Sequence, residues 1–281
     1  MAADRFPFVQ FEFGFRLGPA DGRYLSRAAP DAPGERVVVL RTLGAPERRR
    51  LRGRRLRPVD RAEPEPVPTS RATVIDAHSF PEEDEASDWL ASLRREPETL
   101  DAQIEAATRE LNGLLRVQRA AAADPSVRDV RPEQALVIRV GYGSGDEVAD
   151  GRFAAADEVP RERRRPGKRT AELSPQERVA AVLGGRDRLL ACEELVLRAR
   201  ADLQAERPRE AALQARIALE TLLAEVPRAE LGDLAGALDE DRRAVSAAAS
   251  AALDGDPPQE LGGAVAKAVA RMERALLRRA L

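Results

Sequence analysis

The hydrophobic pattern of this chain changes once, across the charged segment 160–170. Before that segment, apolar residues alternate with polar ones, as over residues 9–17, which is the two-residue period of a half-buried strand. After it, apolar residues recur only at spacings of three and four, the period of amphipathic helices. We therefore predict an α+β domain over 1–159, a charged linker over 160–170 and a four-helix-type bundle over 171–281.

The N-terminal part is expected to contain an antiparallel or mixed sheet with helices. Five of the seven phenylalanines lie in the first fifteen residues, so the first strand should carry the aromatic part of the core. Residues 23–25 follow a turn sequence and are interpreted as the returning arm of a hairpin with that strand. Further strands are predicted at 37–40, 73–75 and, last, 136–140.

Two helices are predicted between the last two of these strands. A capping-box pattern at Ser79 and Glu82 predicts the start of one helix, and Pro97 separates it from the next. The second helix has an apolar stripe that runs from Leu100 through Leu111 to Leu114.

The C-terminal part is expected to be an antiparallel bundle of four helices, the first two separated by Pro208. Continuing the third stripe from Leu238 would place Asp241 in the core, so a break is expected near 239–241. The stripes are rich in alanine, and apolar side chains outside them could meet a partner or a second copy. These extra side chains are Leu213, Ile217, Leu223, Leu276, Leu277 and Leu281.

Charge and cysteine content limit the classes of function. The chain has 46 basic and 48 acidic side chains, so no overall positive field draws it to nucleic acid or to an anionic membrane. The single Cys192 cannot form an internal disulfide, and no apolar stretch approaches the roughly 18 residues of a membrane-spanning helix. The sequence predicts a cytoplasmic protein without a membrane segment.

Positive charge is concentrated in two short segments, the linker and an Arg/Pro-rich connection at about 44–70, which is expected to be exposed. Arginine clusters of this kind bind nucleic-acid phosphates, although neither segment has aromatic residues for base stacking. The candidate nucleic-acid contacts are Arg48, Arg49, Arg50, Arg52, Arg54, Arg55 and Arg57.

Three features are candidates for a catalytic or binding site: His78, Cys192 and a glycine-rich run. His78 is the only histidine, and Asp76 could orient its ring as in an acid–base pair; the alternative is a surface histidine at a strand-to-helix junction. Cys192 lies on a helical apolar stripe and is interpreted as a packed side chain.

The glycine-rich run Gly141 to Gly145 is predicted to be a loop after a strand, where backbone N–H groups could bind phosphate. It lacks the spacing of the dinucleotide and P-loop motifs. If the next residues are helical, Asp146 and Asp150 share a face and could hold Mg²⁺. The alternative is an ordinary glycine turn, and neither a cofactor nor a metal is predicted.

The helix pair around Pro208 is similar to those of tetratricopeptide-like and HEPN-like bundles, with alanine and leucine at helical spacing. The HEPN nuclease pattern requires a histidine that this region lacks, so no family is assigned. The favoured function is a non-catalytic interaction, scaffold or regulatory protein acting through the C-terminal helices. The alternatives are an arginine-mediated nucleic-acid binder and, third, a phosphate- or nucleotide-dependent enzyme using the Gly141 to Gly145 segment.

Overall fold

A computed structural model describes residues 4–27, 36–44, 69–160 and 175–279 of the chain. The chain divides into two compact units, 1–167 and 168–281. Most of the Arg/Pro-rich connection, with all seven candidate arginines from Arg48 to Arg57, lies outside the described residues. The same holds for residues 161–170 of the predicted linker.

The first unit contains a six-stranded sheet in which every neighbouring pair is antiparallel. Its strands are β1 (Phe6–Phe13), β2 (Gly22–Ser26), β3 (Arg36–Leu43), β4 (Thr69–Asp76), β5 (Val137–Gly143) and β6 (Ala155–Glu158). Their order across the sheet is β2-β3-β4-β1-β5-β6. The phenylalanine-rich β1 therefore lies inside the sheet, where both of its faces can be buried.

Two helices, α1 (Glu83–Arg95) and α2 (Pro97–Ala121), cover one face of the sheet. Phe11 and Phe13 of β1 pack there with Leu93 of α1 and with Leu111 and Leu115 of α2, all of them buried. Leu115 is fully buried in place of Leu114, which is partly buried beside this core. The alternation along β1 thus directs Phe11 and Phe13 toward the helices and Phe8 toward the opposite face.

The opposite face of the sheet is covered only in part. The short helix α3 (Gly145–Ala149) places Val148 and Ala149 against Phe8, Val39 and Ile75. The rest of this face carries mostly polar side chains, and a row across all six strands reads Arg23, Val39, Thr73, Gln10, Arg139 and Glu158.

Three predictions for this unit are wrong in detail. Residues 23–25 pair with β3, not with β1, as the register Tyr24 to Val38 shows, so β2 forms the outer edge of the sheet. Strand 136–140 is not the last, because β6 pairs with it on the other side. The capping box at Ser79 does not form: α1 begins at Glu83, and its N-cap Glu82 makes no side-chain cap.

The second unit is helical throughout its described residues. Its helices are α4 (Pro175–Leu183), α5 (Ala191–Gln204), α6 (Pro208–Glu225), α7 (Arg228–Leu231), α8 (Leu234–Asp254) and α9 (Gln259–Arg279). The long helix α6 packs against α5, α8 and α9. Small side chains such as Ala199, Ala215 and Ala248 are fully buried in the shared core, together with Leu222, Leu238 and Met272.

The break predicted near 239–241 is not present. Helix α8 continues from Leu234 to Asp254, and the interruption lies earlier, between α7 and α8, where Gly232 has φ of +55°. Asp241 keeps its place on the core-facing side of α8 because Arg271 of α9 donates a hydrogen bond to its carboxylate. A charged residue at a stripe position is thus accommodated by an ion pair between helices.

The chain has an α+β fold, as predicted, with an antiparallel sheet followed by helices. Among the described helices, none is long and apolar enough to cross a membrane.

Candidate functional site

A cavity of about 260 Å³ opens in the first unit, between the sheet and helices α1 and α2. Its apolar wall includes Val9, Val74, Phe80, Trp89 and Ala107. The rings of Phe80 and Trp89 are in contact, with centroids 5.7 Å apart. Apolar and aromatic walls of this kind are typical of small-molecule sites, although this volume is below the roughly 300–1,000 Å³ of drug-sized pockets.

Polar side chains are placed at the rim of this cavity by the ends of β3 and β4 and by the connection to α1. Asp76, the last residue of β4, accepts hydrogen bonds at Oδ1 from the backbone N–H of His78, at 2.9 Å, and contacts His78 Nδ1 at 3.1 Å. The predicted pairing of these two side chains is therefore present. The imidazole is 86% exposed, so it lies at the mouth of the cavity and not inside it.

The remaining polar lining residues are Arg36, Ser79 and Gln103. Arg36 is not free, because its Nη1 lies 2.9 Å from Glu110 Oε1 on α2. The other carboxylate oxygen of Glu110 accepts from Ser26 Oγ at 2.9 Å. The carboxylate of Glu110 therefore compensates the charge of Arg36.

The glycine-rich segment does not form the predicted loop. Gly141 and Gly143 belong to strand β5, where Gly141 pairs with Phe8 on one side and Ala156 on the other. A Cβ at Gly141 would clash with the carbonyl oxygen of Ala155 and lie 2.7 Å from Ala156 Cα. These glycines permit close approach between strands, and their backbone groups are used in sheet pairing.

The acidic pair proposed for Mg²⁺ lies on and just after α3. Asp146 Oδ1 contacts Arg23 Nη1 at 2.9 Å, and Asp150 Oδ1 contacts Arg41 Nη2 at 3.4 Å. Their partners are therefore guanidinium groups. Within the described part of the chain, no three His, Cys, Asp or Glu side chains are grouped so as to hold a metal ion.

Cys192 is fully buried in the core of the second unit, as its place on an apolar stripe predicts. Some apolar side chains of the same unit are exposed. Val179 and Leu183 lie one turn apart on α4, Leu189 precedes α5, and Leu197 lies on α5. We call these four residues the α4–α5 surface.

Sequence reasoning did not identify Arg36, Gln103 or Phe80 as cavity residues. They come from β3, α2 and the connection before α1, and nothing in their local sequence links them. Because no motif spans these residues, only the tertiary fold brings them together.

No protein-family model, curated protein or solved structure matches this chain.

Proposed function

We propose that this chain is a non-catalytic interaction protein that self-associates through the α4–α5 surface of its helical unit. The observation that carries the proposal is the exposure of large apolar side chains there: Leu183 is 83% exposed and Leu189 is 65% exposed. Single exposed leucines are common on protein surfaces, whereas a group of them is typical of an interface.

An ion pair orients α4 beside α5. Arg178 of α4 donates to the carboxylate of Glu193 on α5, and its Nε lies 3.4 Å from Asp187 Oδ2. Val179 follows Arg178 directly, and Leu197 lies four residues after Glu193, on the same side of α5. The ion pair therefore holds the two helices that carry the exposed apolar side chains next to each other.

The extra apolar residues predicted from the sequence contribute unequally. Leu213, Leu223 and Leu276 are partly buried against the core of the unit, so they are used internally. Ile217 and Leu277 are exposed, and Leu281 lies outside the described residues. The α4–α5 surface therefore replaces these positions in the proposal. A second copy of the same chain is a fitting occupant, because an apolar patch that pairs with itself buries the same residues on both sides.

Sedimentation velocity of the full chain over a concentration series tests this proposal. The expected result is a monomer–dimer equilibrium in the wild type that Leu183→Ser and Leu189→Ser together shift strongly toward monomer. The matched control is Leu253→Ser, which changes a leucine on α8 that is 66% exposed and lies outside the surface. A monomeric wild type, or equal effects of the control and the double variant, would contradict the proposal.

A second candidate function is the binding of a small, largely apolar molecule in the cavity of the first unit. The observation that favours it is the Asp76–His78 pair at the mouth of an aromatic-lined cavity. Asp76 orients the imidazole so that its other ring nitrogen can hydrogen-bond an occupant.

Tryptophan fluorescence reads this site directly, because Trp89 is the only tryptophan in the chain and lines the cavity. We expect phenol or indole to change the emission saturably, and His78→Gln to weaken the binding. Ala107→Leu should abolish it by filling the cavity, with a change in melting temperature as the check on folding. A non-saturable change in the wild type would count against a ligand site.

A further inference from the structure

Four arginines surround Asp150 on the partly open face of the sheet. Arg41 Nη2 lies 3.4 Å from Asp150 Oδ1, Arg23 Nη2 lies 3.8 Å from the same atom, and Arg152 Nη2 lies 4.0 Å from Oδ2. Arg71 Nη2 donates to the backbone carbonyl of Asp150 at 3.3 Å. We call Arg23, Arg41, Arg71 and Arg152 the arginine cluster.

The strand register brings like charges together in this cluster. Arg41 of β3 lies directly opposite Arg71 of β4, an arrangement that is destabilising unless an anion compensates it. Glu12 of β1 lies opposite Arg71 on the other side, but its carboxylate accepts from Arg139 at 2.7 Å. Asp146 Oδ1 lies 2.9 Å from Arg23 Nη1. The contacts of the four guanidinium groups thus include two carboxylates, those of Asp146 and Asp150, and one backbone carbonyl, which leaves an excess of positive charge.

The cluster is accessible to a large ligand. Arg41 and Arg23 are about half exposed, and Arg152 is 71% exposed. The arginines come from three neighbouring strands, β2, β3 and β4, and from the turn after α3, so the positive charge extends across the sheet. Such a surface fits an extended polyanion better than a single small anion.

An aromatic side chain lies next to this charge. Phe153 directly follows Arg152 and is 37% exposed, and its ring rests on that of Phe8 with centroids 5.4 Å apart. Proteins that bind single-stranded nucleic acid combine a packed, partly exposed aromatic ring with nearby arginines. The phosphates pair with the guanidinium groups while a base stacks on the ring.

We infer that the arginine cluster and Phe153 form a binding site for single-stranded nucleic acid. Asp150 acts in the free protein as an internal counter-ion for the cluster. On binding, backbone phosphates replace Asp150 as partners of the guanidinium groups. Each guanidinium group can donate two parallel hydrogen bonds to phosphate oxygens. The proposed site uses other residues than Arg48 to Arg57 and does not depend on the α4–α5 surface.

Fluorescence anisotropy of the full chain with a labelled single strand of about 12 nucleotides tests the inference, since one module covers roughly 4–16 nucleotides. Arg41→Gln with Arg71→Gln should weaken binding at least tenfold and reduce the slope of log affinity against log salt by about 0.7 per lost contact. Asp150→Asn should tighten binding several-fold. Phe153→Ala should weaken binding of the single strand but not of a duplex.

Arg198→Gln is the matched control, because Arg198 is an exposed, ion-paired arginine on α5 and its loss should change nothing. If the Arg41/Arg71 variant loses its circular dichroism signal, Arg152→Gln replaces it, since Arg152 lies outside the strands. Absence of salt-sensitive binding by the wild type would overturn the inference. A second result would also overturn it: binding that is lost when Arg49, Arg50, Arg54 and Arg55 are changed to Gln, but is unchanged when the arginine cluster is changed.

Discussion

Arg271 of α9 donates hydrogen bonds both to the carboxylate of Asp241 and to the carbonyl oxygen of Ala237, so it joins two helices at a core-facing position of α8. The side chains of Asp241 and Arg271 are 16% and 25% exposed, so water screens the pair only weakly. Removing one partner leaves the other charge partly buried without compensation.

We predict that Asp241→Asn lowers the free energy of unfolding by about 1–3 kcal/mol, because Arg271 loses its counter-ion while side-chain volume is kept. Urea unfolding followed by circular dichroism measures the loss. Glu220→Gln is the control, since its pair with Arg242 is about half exposed and water screens it, so its loss should change stability little. Equal losses in the two variants would contradict the role assigned to Asp241.

The second prediction concerns Gly141. Gly141→Ala should destabilise the first unit by about 2–3 kcal/mol, because its Cβ would overlap the backbone of β6. Gly113→Ala, on an exposed position of α2 where a Cβ meets nothing within 4 Å, should instead stabilise by about 1 kcal/mol. Thermal unfolding of both variants gives the comparison. A Gly141→Ala variant as stable as the wild type would mean that β5 and β6 are not paired at this point.

The third prediction is a pH dependence at the last residue of α6. Glu225 accepts hydrogen bonds from the backbone N–H groups of Cys192, at 2.9 Å, and Ala191, at 3.3 Å, at the start of α5. These bonds, the one from Cys192 first, hold the pKa of the Glu225 carboxyl below its ordinary value. Because the folded pKa is lowered, this stabilisation is present above the unfolded pKa and is lost as pH falls through the folded pKa.

Glu225→Ala should therefore cost about 1 kcal/mol at pH 7, the usual effect of removing a helix cap. The difference from the wild type should shrink as the pH falls below the pKa of an unfolded glutamate, about 4.3. Urea unfolding at a series of pH values measures it. Glu240→Ala, at an exposed position of α8, is the control and should show little difference at any pH. A Glu225 effect that is independent of pH would rule out the capping carboxylate.

The fourth prediction uses the single thiol. Cys192 is fully buried, so a thiol reagent should react with it very slowly in the native chain and rapidly in denaturant. The labelling rate then reports opening of the helical unit alone, because the chain has no other cysteine. Immediate labelling of the native chain would show that the start of α5 is not packed as described.

The local sequence was sufficient to predict a strand or helix where its apolar residues recur with a single period. The alternation around Phe11 predicts β1, and the stripe from Leu100 to Leu111 predicts α2, because each period places its apolar side chains on one side of the element. The buried positions Ala215, Leu219 and Leu222 of α6 follow from the same reasoning.

Long-range relationships could not be predicted in this way. Nothing near residues 22–26 specifies that they pair with the following strand, β3, instead of with the preceding strand, β1. Strand β6 was missed because Ala155-Ala156-Asp157-Glu158 has no β-branched or aromatic residue. The charge of Asp241 suggested a helix break because the local sequence does not reveal its partner Arg271, which lies thirty residues later. The cavity and the arginine cluster depend equally on residues from several strands.

The position of β1 inside the sheet has a consequence for the order in which the chain can fold during synthesis. The partners of Gln10 on its two sides are Thr73 and Arg139, which lie 63 and 129 residues later. The ribosome therefore releases the most aromatic segment of the protein long before either neighbouring strand exists. Until β5 has emerged, Phe8, Phe11 and Phe13 lack a completed sheet, and a nascent chain in that state exposes apolar surface on which chaperones act.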